Sequence, residues 1–237
     1  MLESVTTQPR PLLPLVRHLS APITPVLARL NINPNAVTSV ALIIGLVAAW
    51  SFSFGSASGD WCGAILLLMS YVLDNCDGEL ARLTAQATHF GRVYDTVVDW
   101  LVHSALFVGL GVGTSTALAE PLWFWLGIAA ALGGSINSAF AISRDLRDTS
   151  HEPSVVDDSQ HADGQAHANV EILGQTPANL KEMFIYLFRE LARADFCFLI
   201  LLLAGLNLLW LILPMAALGA QIYWLTGLLR SAQGFHV

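Results

Sequence analysis

Charge is scarce in this chain. Only 12% of its 237 residues are Asp, Glu, Lys or Arg, about half of the roughly 25% usual in a soluble domain. Hydrophobic residues make up 54%, and the mean hydropathy is +0.58. That balance excludes an ordinary water-soluble globule and points to an all-α integral membrane protein with one compact helical domain. Cysteine is nearly absent as well. Cys62, Cys76 and Cys197 are far apart and form no C-x-x-C pair, so no disulfide framework is expected and the thiols read as free and buried. No basic patch exists, which excludes nucleic-acid binding. There is no internal repeat. Met1 to Arg10 carries no basic run leading into an apolar core, so no cleavable signal peptide is expected.

What the sequence does have is apolar runs of the length a bilayer demands, about twenty residues each. They predict six transmembrane helices, near Ala36–Phe54, Trp61–Arg82, Gly91–Val112, Pro121–Ile142, Asp195–Leu213 and Met215–Leu229. The links at Ser56–Asp60, Gly113–Glu120 and Pro214 are short, which predicts antiparallel neighbours. All eleven Lys and Arg residues fall on one side of that arrangement, while the opposite links hold only Asp60 and Glu120. The excess of positive charge on inner loops makes that side cytoplasmic, with both termini inside. Five or seven spans would scatter the charges over both faces.

Residues 1–34 read as a tail with a juxtamembrane helix, and residues 35–237 as the six-helix domain. In Pro11–Ile32, leucines and valines are interrupted by Arg17, His18, Arg29 and three prolines, which predicts an interfacial amphipathic helix rather than a span. Asn35 is the expected N-cap of the first span. Residues 143–180 read as a cytoplasmic polar loop, acidic and flexible. Its His151, His161 and His167 lack metal-site spacing. Thr176-Pro177 predicts the start of a second surface helix.

The charge that remains is concentrated. Asp74 and Asp77 are three residues apart, Asp95 and Asp99 four apart, so each pair shares one helix face. From Asp60 at the outer edge, Asp74 is about 21 Å and Asp77 about 26 Å along the helix. Both therefore lie near the inner headgroup boundary of a hydrocarbon core about 30 Å thick, and Asp95 and Asp99 enter from the same side. An isolated charge at the bilayer centre costs at least about 2.5–3.5 kcal/mol, so four acids there require a compensating cation or water. Carboxylate oxygens select Mg²⁺, Mn²⁺ or Ca²⁺, and four could hold two ions bridging a phosphoanhydride. Gly78, Ala81 and Gly91 are small, either to admit a phosphate ligand or to pack helices closely. Arg82 is either a phosphate clamp or an inside-facing anchor.

The stretch from Asp74 to Asp99 resembles the signature of the CDP-alcohol phosphotransferases (CDP-alcohol phosphatidyltransferase class I), D-x2-D-G-x2-A-R-x8-G-x3-D-x3-D. All eight fixed positions match in residue and spacing, and Pro34-Asn35-Ala36-Val37-Thr38 is similar to the family's entry into its first span. The resemblance is weak in the 144–176 loop and over the last two spans. It implies transfer of a phosphatidyl group from a CDP-linked donor, usually CDP-diacylglycerol, to an alcohol, with CMP leaving. By position it implies metal binding by Asp74, Asp77 and Asp95. Asp99 would be a further metal ligand or the catalytic general base, and Gly78, Ala81, Arg82 and Gly91 would hold the CDP moiety. It implies two divalent ions, Mg²⁺ or Mn²⁺, and a homodimer.

The acceptor is not written in the motif. Arg144, Lys181 and Arg193 lie on the cytoplasmic side and are candidates for an acceptor phosphate. Glu79 and Leu80, in the variable positions, are similar to members that use inositol phosphates; glycerol phosphate, serine and other polyols stay open. The competing class is a cation transporter using the intramembrane aspartates, which predicts acids spread through the midplane and repeated halves.

Overall fold

The computed structural model of the chain describes residues 14–148 and 195–233. Among these the chain is helical without strands. The helices are α1 (Val16–Arg29), α2 (Pro34–Phe52), α3 (Ala57–Leu83), α4 (His89–Leu118), α5 (Leu122–Asp148), α6 (Phe196–Gly205) and α7 (Ile212–Gln233), with a 3-10 turn at Leu209–Leu211 before α7.

Local chemistry sets the helix ends. The Asn33 side chain accepts from the Asn35 backbone N–H, with Pro34 in the first turn of α2, so Asn33 and not Asn35 is the cap. Ser56 caps α3 and Thr88 caps α4, each accepting from the N–H three residues on. Left-handed residues end helices: Ala119 has φ 53 after α4 and Asn207 has φ 56 after α6.

Several boundaries differ from expectation. α4 runs on through the expected link at Gly113 to Leu118. Gly113 lets the continued helix pass close against α2, because a Cβ there would collide with the carbonyl oxygen of Phe52. Pro214 does not separate two spans; it sits in the first turn of α7, where a proline costs no hydrogen bond. The break falls at Asn207 instead. α1 keeps Pro22 and Pro25 inside it without ending. Residues 143–148 of the expected polar loop are helical; the rest of that loop, with the expected helix start at Thr176, lies outside the described residues. Cys62 is exposed, whereas Cys76 and Cys197 are buried, and all three are free.

Among the described residues three helices, Pro34–Phe52, His89–Leu118 and Leu122–Phe140, are long and apolar enough to cross a membrane. α3 has 27 residues, about 40 Å at 1.5 Å each, but its acidic end lowers its hydropathy. Large apolar side chains such as Ile43, Trp50, Ile65, Trp125 and Leu132 are exposed along α2, α3 and α5, as suits a chain surrounded by lipid.

α2 organises the bundle. It packs along both α3 and α4, while α3 and α4 have little direct backbone contact. The pairings Thr38 with Asp77 and Ser39 with Tyr94 mark one end of α2, and the Phe52 contacts with Gly63 and Gly113 mark the other. α2 therefore runs antiparallel to α3 and parallel to α4. At Gly45 the three meet: a Cβ there would be 2.7 Å from a Val102 methyl and 3.0 Å from Ser70 Oγ. Phe52, Leu67, Leu106, Leu110, Ile200 and Leu213 fill the core beside them.

Candidate active site and metal centre

The acidic end of α3 carries Asp74, Asp77, Gly78, Ala81 and Arg82 within its last three turns. The Asp77 carboxylate is 5% exposed and accepts the Thr38 hydroxyl of α2. The Arg82 guanidinium folds back over Gly78, so that a Cβ at 78 would lie 3.5 Å from Nη1. A positive fork thus lies beside Gly78, the residue next to Asp77.

Thr88 Oγ1 accepts from the Gly91 N–H at 3.0 Å and aims the first turn of α4. A Cβ on Gly91 would be 3.2 Å from Thr88 Oγ1 and 3.3 Å from Asn35 Oδ1. Its small size therefore lets the start of α4 sit against the start of α2. One turn on, Tyr94 and Ser39 hydroxyls meet at 2.8 Å. Consecutive residues Thr38 and Ser39 thus hold one acid-bearing helix each.

Asp74, Asp77 and Asp95 come together, with one carboxylate oxygen of each within 4.8 Å of the others. Oδ1 of Asp95 is buried with no hydrogen-bond partner among the described residues. Three hard oxygen donors, one of them buried and unsatisfied, fit a divalent cation. Asp99 is outside that cluster and exposed. Four residues along α4 move it about 6 Å deeper, beside the cluster and not in it.

The Arg144 side chain is not among those described, and Lys181 and Arg193 lie outside the described residues. The structure adds residues that spacing did not reveal. Glu79 accepts the Ser20 hydroxyl at 2.9 Å and the Thr24 hydroxyl at 2.6 Å, both from α1. Asp195, wholly buried, accepts the backbone N–H groups of Leu15 at 2.8 Å and Val16 at 3.0 Å. Two carboxylates therefore seat α1 beside the site. Thr38 had a sequence signal, since it lies in the Pro34–Thr38 stretch; Glu79 and Asp195 pair with residues 55 to 180 positions away, which no local pattern reveals.

A protein from Aquifex aeolicus named as a bifunctional IPC transferase and DIPP synthase is 32% identical over 131 residues, covering 55% of this chain and 28% of its own length. An archaetidylinositol phosphate synthase from Pyrococcus horikoshii is 31% identical over 100 residues, 42% of this chain and 52% of that protein. A phosphatidylinositol phosphate synthase from Mycolicibacterium smegmatis is 30% identical over 104 residues, 44% and 46% of the two chains. The matches thus span about a quarter to a half of these relatives. No support for the transporter alternative comes from them. Residues 31–155 match the family described as CDP-alcohol phosphatidyltransferase. That stretch holds α2, α3, α4, the paired aspartates and the Thr38 contact, so the chain belongs to the CDP-alcohol phosphatidyltransferase family.

Proposed function

We propose that this protein transfers a phosphatidyl group from a CDP-linked donor such as CDP-diacylglycerol to an alcohol, releasing CMP. The observation that carries this is the convergence of Asp74, Asp77 and Asp95 at one end of two apolar helices, within a chain of this family. An inositol phosphate is the preferred acceptor, because two of the relatives are named as inositol phosphate synthases and Glu79-Leu80 stand in the variable positions of the motif.

Asp74, Asp77 and Asp95 would hold Mg²⁺ or Mn²⁺, with a second ion beside Asp99. Bound there, the divalent ions neutralise phosphoanhydride charge and lower the pKa of the attacking hydroxyl. Thr38 orients the Asp77 carboxylate. Arg82 donates to phosphate oxygens, and Gly78 leaves the space for them; Ala81 and Gly91 complete the CDP cradle. Asp99, exposed and outside the metal cluster, takes the proton of the acceptor hydroxyl. The acceptor oxygen forms its bond to phosphorus as the bond to the CMP oxygen breaks. Arg144, Lys181 and Arg193 recruit the acceptor phosphate.

The same reading places six spans in the bilayer with both termini cytoplasmic. The one-sided distribution of Lys and Arg supports it, as do the exposed Trp50, Trp61 and Trp125 near the opposite end of the bundle. α1 lies on the inner leaflet: Ser20 and Thr24 face α3, while Leu19, Ile23, Val26 and Leu30 are exposed. A homodimer completes the assembly.

The decisive experiment gives purified protein labelled CDP-diacylglycerol, Mg²⁺ and a panel of alcohols and phosphoalcohols, and identifies lipid products by mass spectrometry. A new phospholipid with stoichiometric CMP is expected. Failure to release CMP with every acceptor would overturn the assignment.

A further inference from the structure

One turn deeper than the carboxylates, side chains join the two acid-bearing helices directly. Tyr71 precedes Asp74 by three residues on α3, and His103 follows Asp99 by four on α4. Tyr71 Oη and His103 Nε2 are 2.7 Å apart. The other ring nitrogen, Nδ1, is 2.7 Å from the Asp99 carbonyl oxygen. A carbonyl oxygen only accepts, so Nδ1 carries the hydrogen. An imidazole whose single hydrogen is on Nδ1 has an Nε2 lone pair, to which the Tyr71 hydroxyl donates. The rings meet edge to face at 5.8 Å, and Phe196 of α6 lies 6.3 Å from the imidazole. Asn75 Nδ2 donates to the Tyr71 carbonyl at 3.1 Å, which ties the bridge to the turn bearing Asp74.

The bridge matters because α3 and α4 have little direct backbone contact and, apart from it, meet near the site through the carboxylates of Asp74, Asp77 and Asp95. Thr38 fixes α3 and Ser39 fixes α4, each to α2 and neither to the other helix. Nothing in those contacts sets how far Asp99 stands from Asp74 and Asp77. Below Tyr71 and His103 the contacts become apolar, with Leu67 and Leu106 buried in the core. In such surroundings an O–H···N bond is strong and demanding in geometry.

We propose that the Tyr71–His103 hydrogen bond is a positioning strut that fixes the Asp99 turn of α4 against the Asp74 turn of α3. It rests on the transfer reading above in giving Asp99 the proton. Neither Tyr71 nor His103 touches the reacting atoms; both act through the backbone that carries the acids. Catalytic groups must be held to within about 0.5 Å by the groups that support them, so loss of a hydrogen bond between the helices bears directly on the position of Asp99.

Tyr71→Phe removes one oxygen and keeps the ring. It is expected to lower kcat about tenfold, the equivalent of one ordinary hydrogen bond, with donor KM and half-saturating Mg²⁺ unchanged because Thr38 and Ser39 still hold the helices bearing Asp77 and Asp95 to α2. His103→Leu behaves alike, and the double variant is no worse than either single one. His103→Gln, which keeps an acceptor for the Tyr71 hydroxyl, recovers most of the rate. A readout without turnover uses nitroxides at Met69→Cys and Leu101→Cys, exposed positions flanking the strut, with Cys62→Ser. Their distance distribution broadens in Tyr71→Phe and stays narrow in His103→Gln. A Tyr71→Phe variant with wild-type kcat, an equal loss in kcat and in metal dependence, multiplicative losses in the double variant, or an unbroadened distribution each overturns the strut. The distance measurement stands even if the wild-type protein transfers nothing, so the two failures are separable.

Discussion

Thr38 of α2 donates its hydroxyl hydrogen to Asp77 of α3, 39 residues away, and so orients a carboxylate that water scarcely reaches. A buried acid with a fixed oxygen direction is what an ion site needs. Thr38→Val keeps the shape and deletes the donor. Its transfer rate should fall about tenfold or more, since a hydrogen bond to a charged group is worth about 1.5–3 kcal/mol. Thr38→Ser should retain most of it. A fully active valine variant would show that Asp77 needs no partner.

The unsatisfied Oδ1 of Asp95 makes this residue the first test of the proposed metal site. EDTA should silence transfer, and Mg²⁺ or Mn²⁺ should restore it. Asp95→Asn should raise the half-saturating metal concentration at least about tenfold, since disturbing even a group that only orients a metal ligand costs about 10–100-fold. Metal titration of the initial rate measures this; an unshifted midpoint would remove Asp95 from the site.

Glu79 holds α1 through Ser20 and Thr24, directly over Cys76, whose Sγ is 3.8 Å from the Ser20 carbonyl. Glu79→Ala should loosen α1 and expose that thiol. In a Cys62→Ser background, maleimide should label Cys76 at least about tenfold faster, as a local opening easier by about 1.4 kcal/mol requires. Peptide mass spectrometry locates the label. Unchanged labelling would mean that other contacts hold α1.

Asp195 replaces a local cap. Leu15, at the N-cap of α1, makes no side-chain cap bond; the backbone N–H groups of Leu15 and Val16 bond to Asp195 instead. Asp195→Ala should cost about 2–3 kcal/mol, because it orphans two donors that bonded a charge. Thermal unfolding in detergent should show a lower midpoint for Asp195→Ala than for Asp195→Asn, which keeps one acceptor.

For the acceptor side, Arg193→Ala should raise the acceptor KM by about tenfold or more, as loss of a charge-assisted bond does, while donor KM holds. Steady-state kinetics with each substrate varied in turn decides it. An unchanged acceptor KM would take Arg193 out of that pocket.

Much of this was legible in the chain itself. Four helix bodies followed from apolar length, because a bilayer-length run of Leu, Val and Ala leaves few alternatives. The motif spacing placed both Asp pairs on helix faces, since 3.6 residues per turn needs no tertiary information. Less legible was whether the four aspartates act as one set. Spacing places Asp99 on the face of Asp95, but the crossing of α3, α4 and α2 decides that the oxygens of Asp74, Asp77 and Asp95 meet with Asp99 beside them.

Composition, hydropathy and an eight-residue signature thus determined a helical membrane chain with an acidic site at one end, because those properties depend on covalent order and helix period alone. Only the tertiary structure decided that α2 packs on both acid-bearing helices, that Thr38 and Ser39 hold one each, that Tyr71 and His103 join them, and that Glu79 and Asp195 seat α1. Those contacts join residues 32 to 180 positions apart, and a partner at such range is chosen by packing.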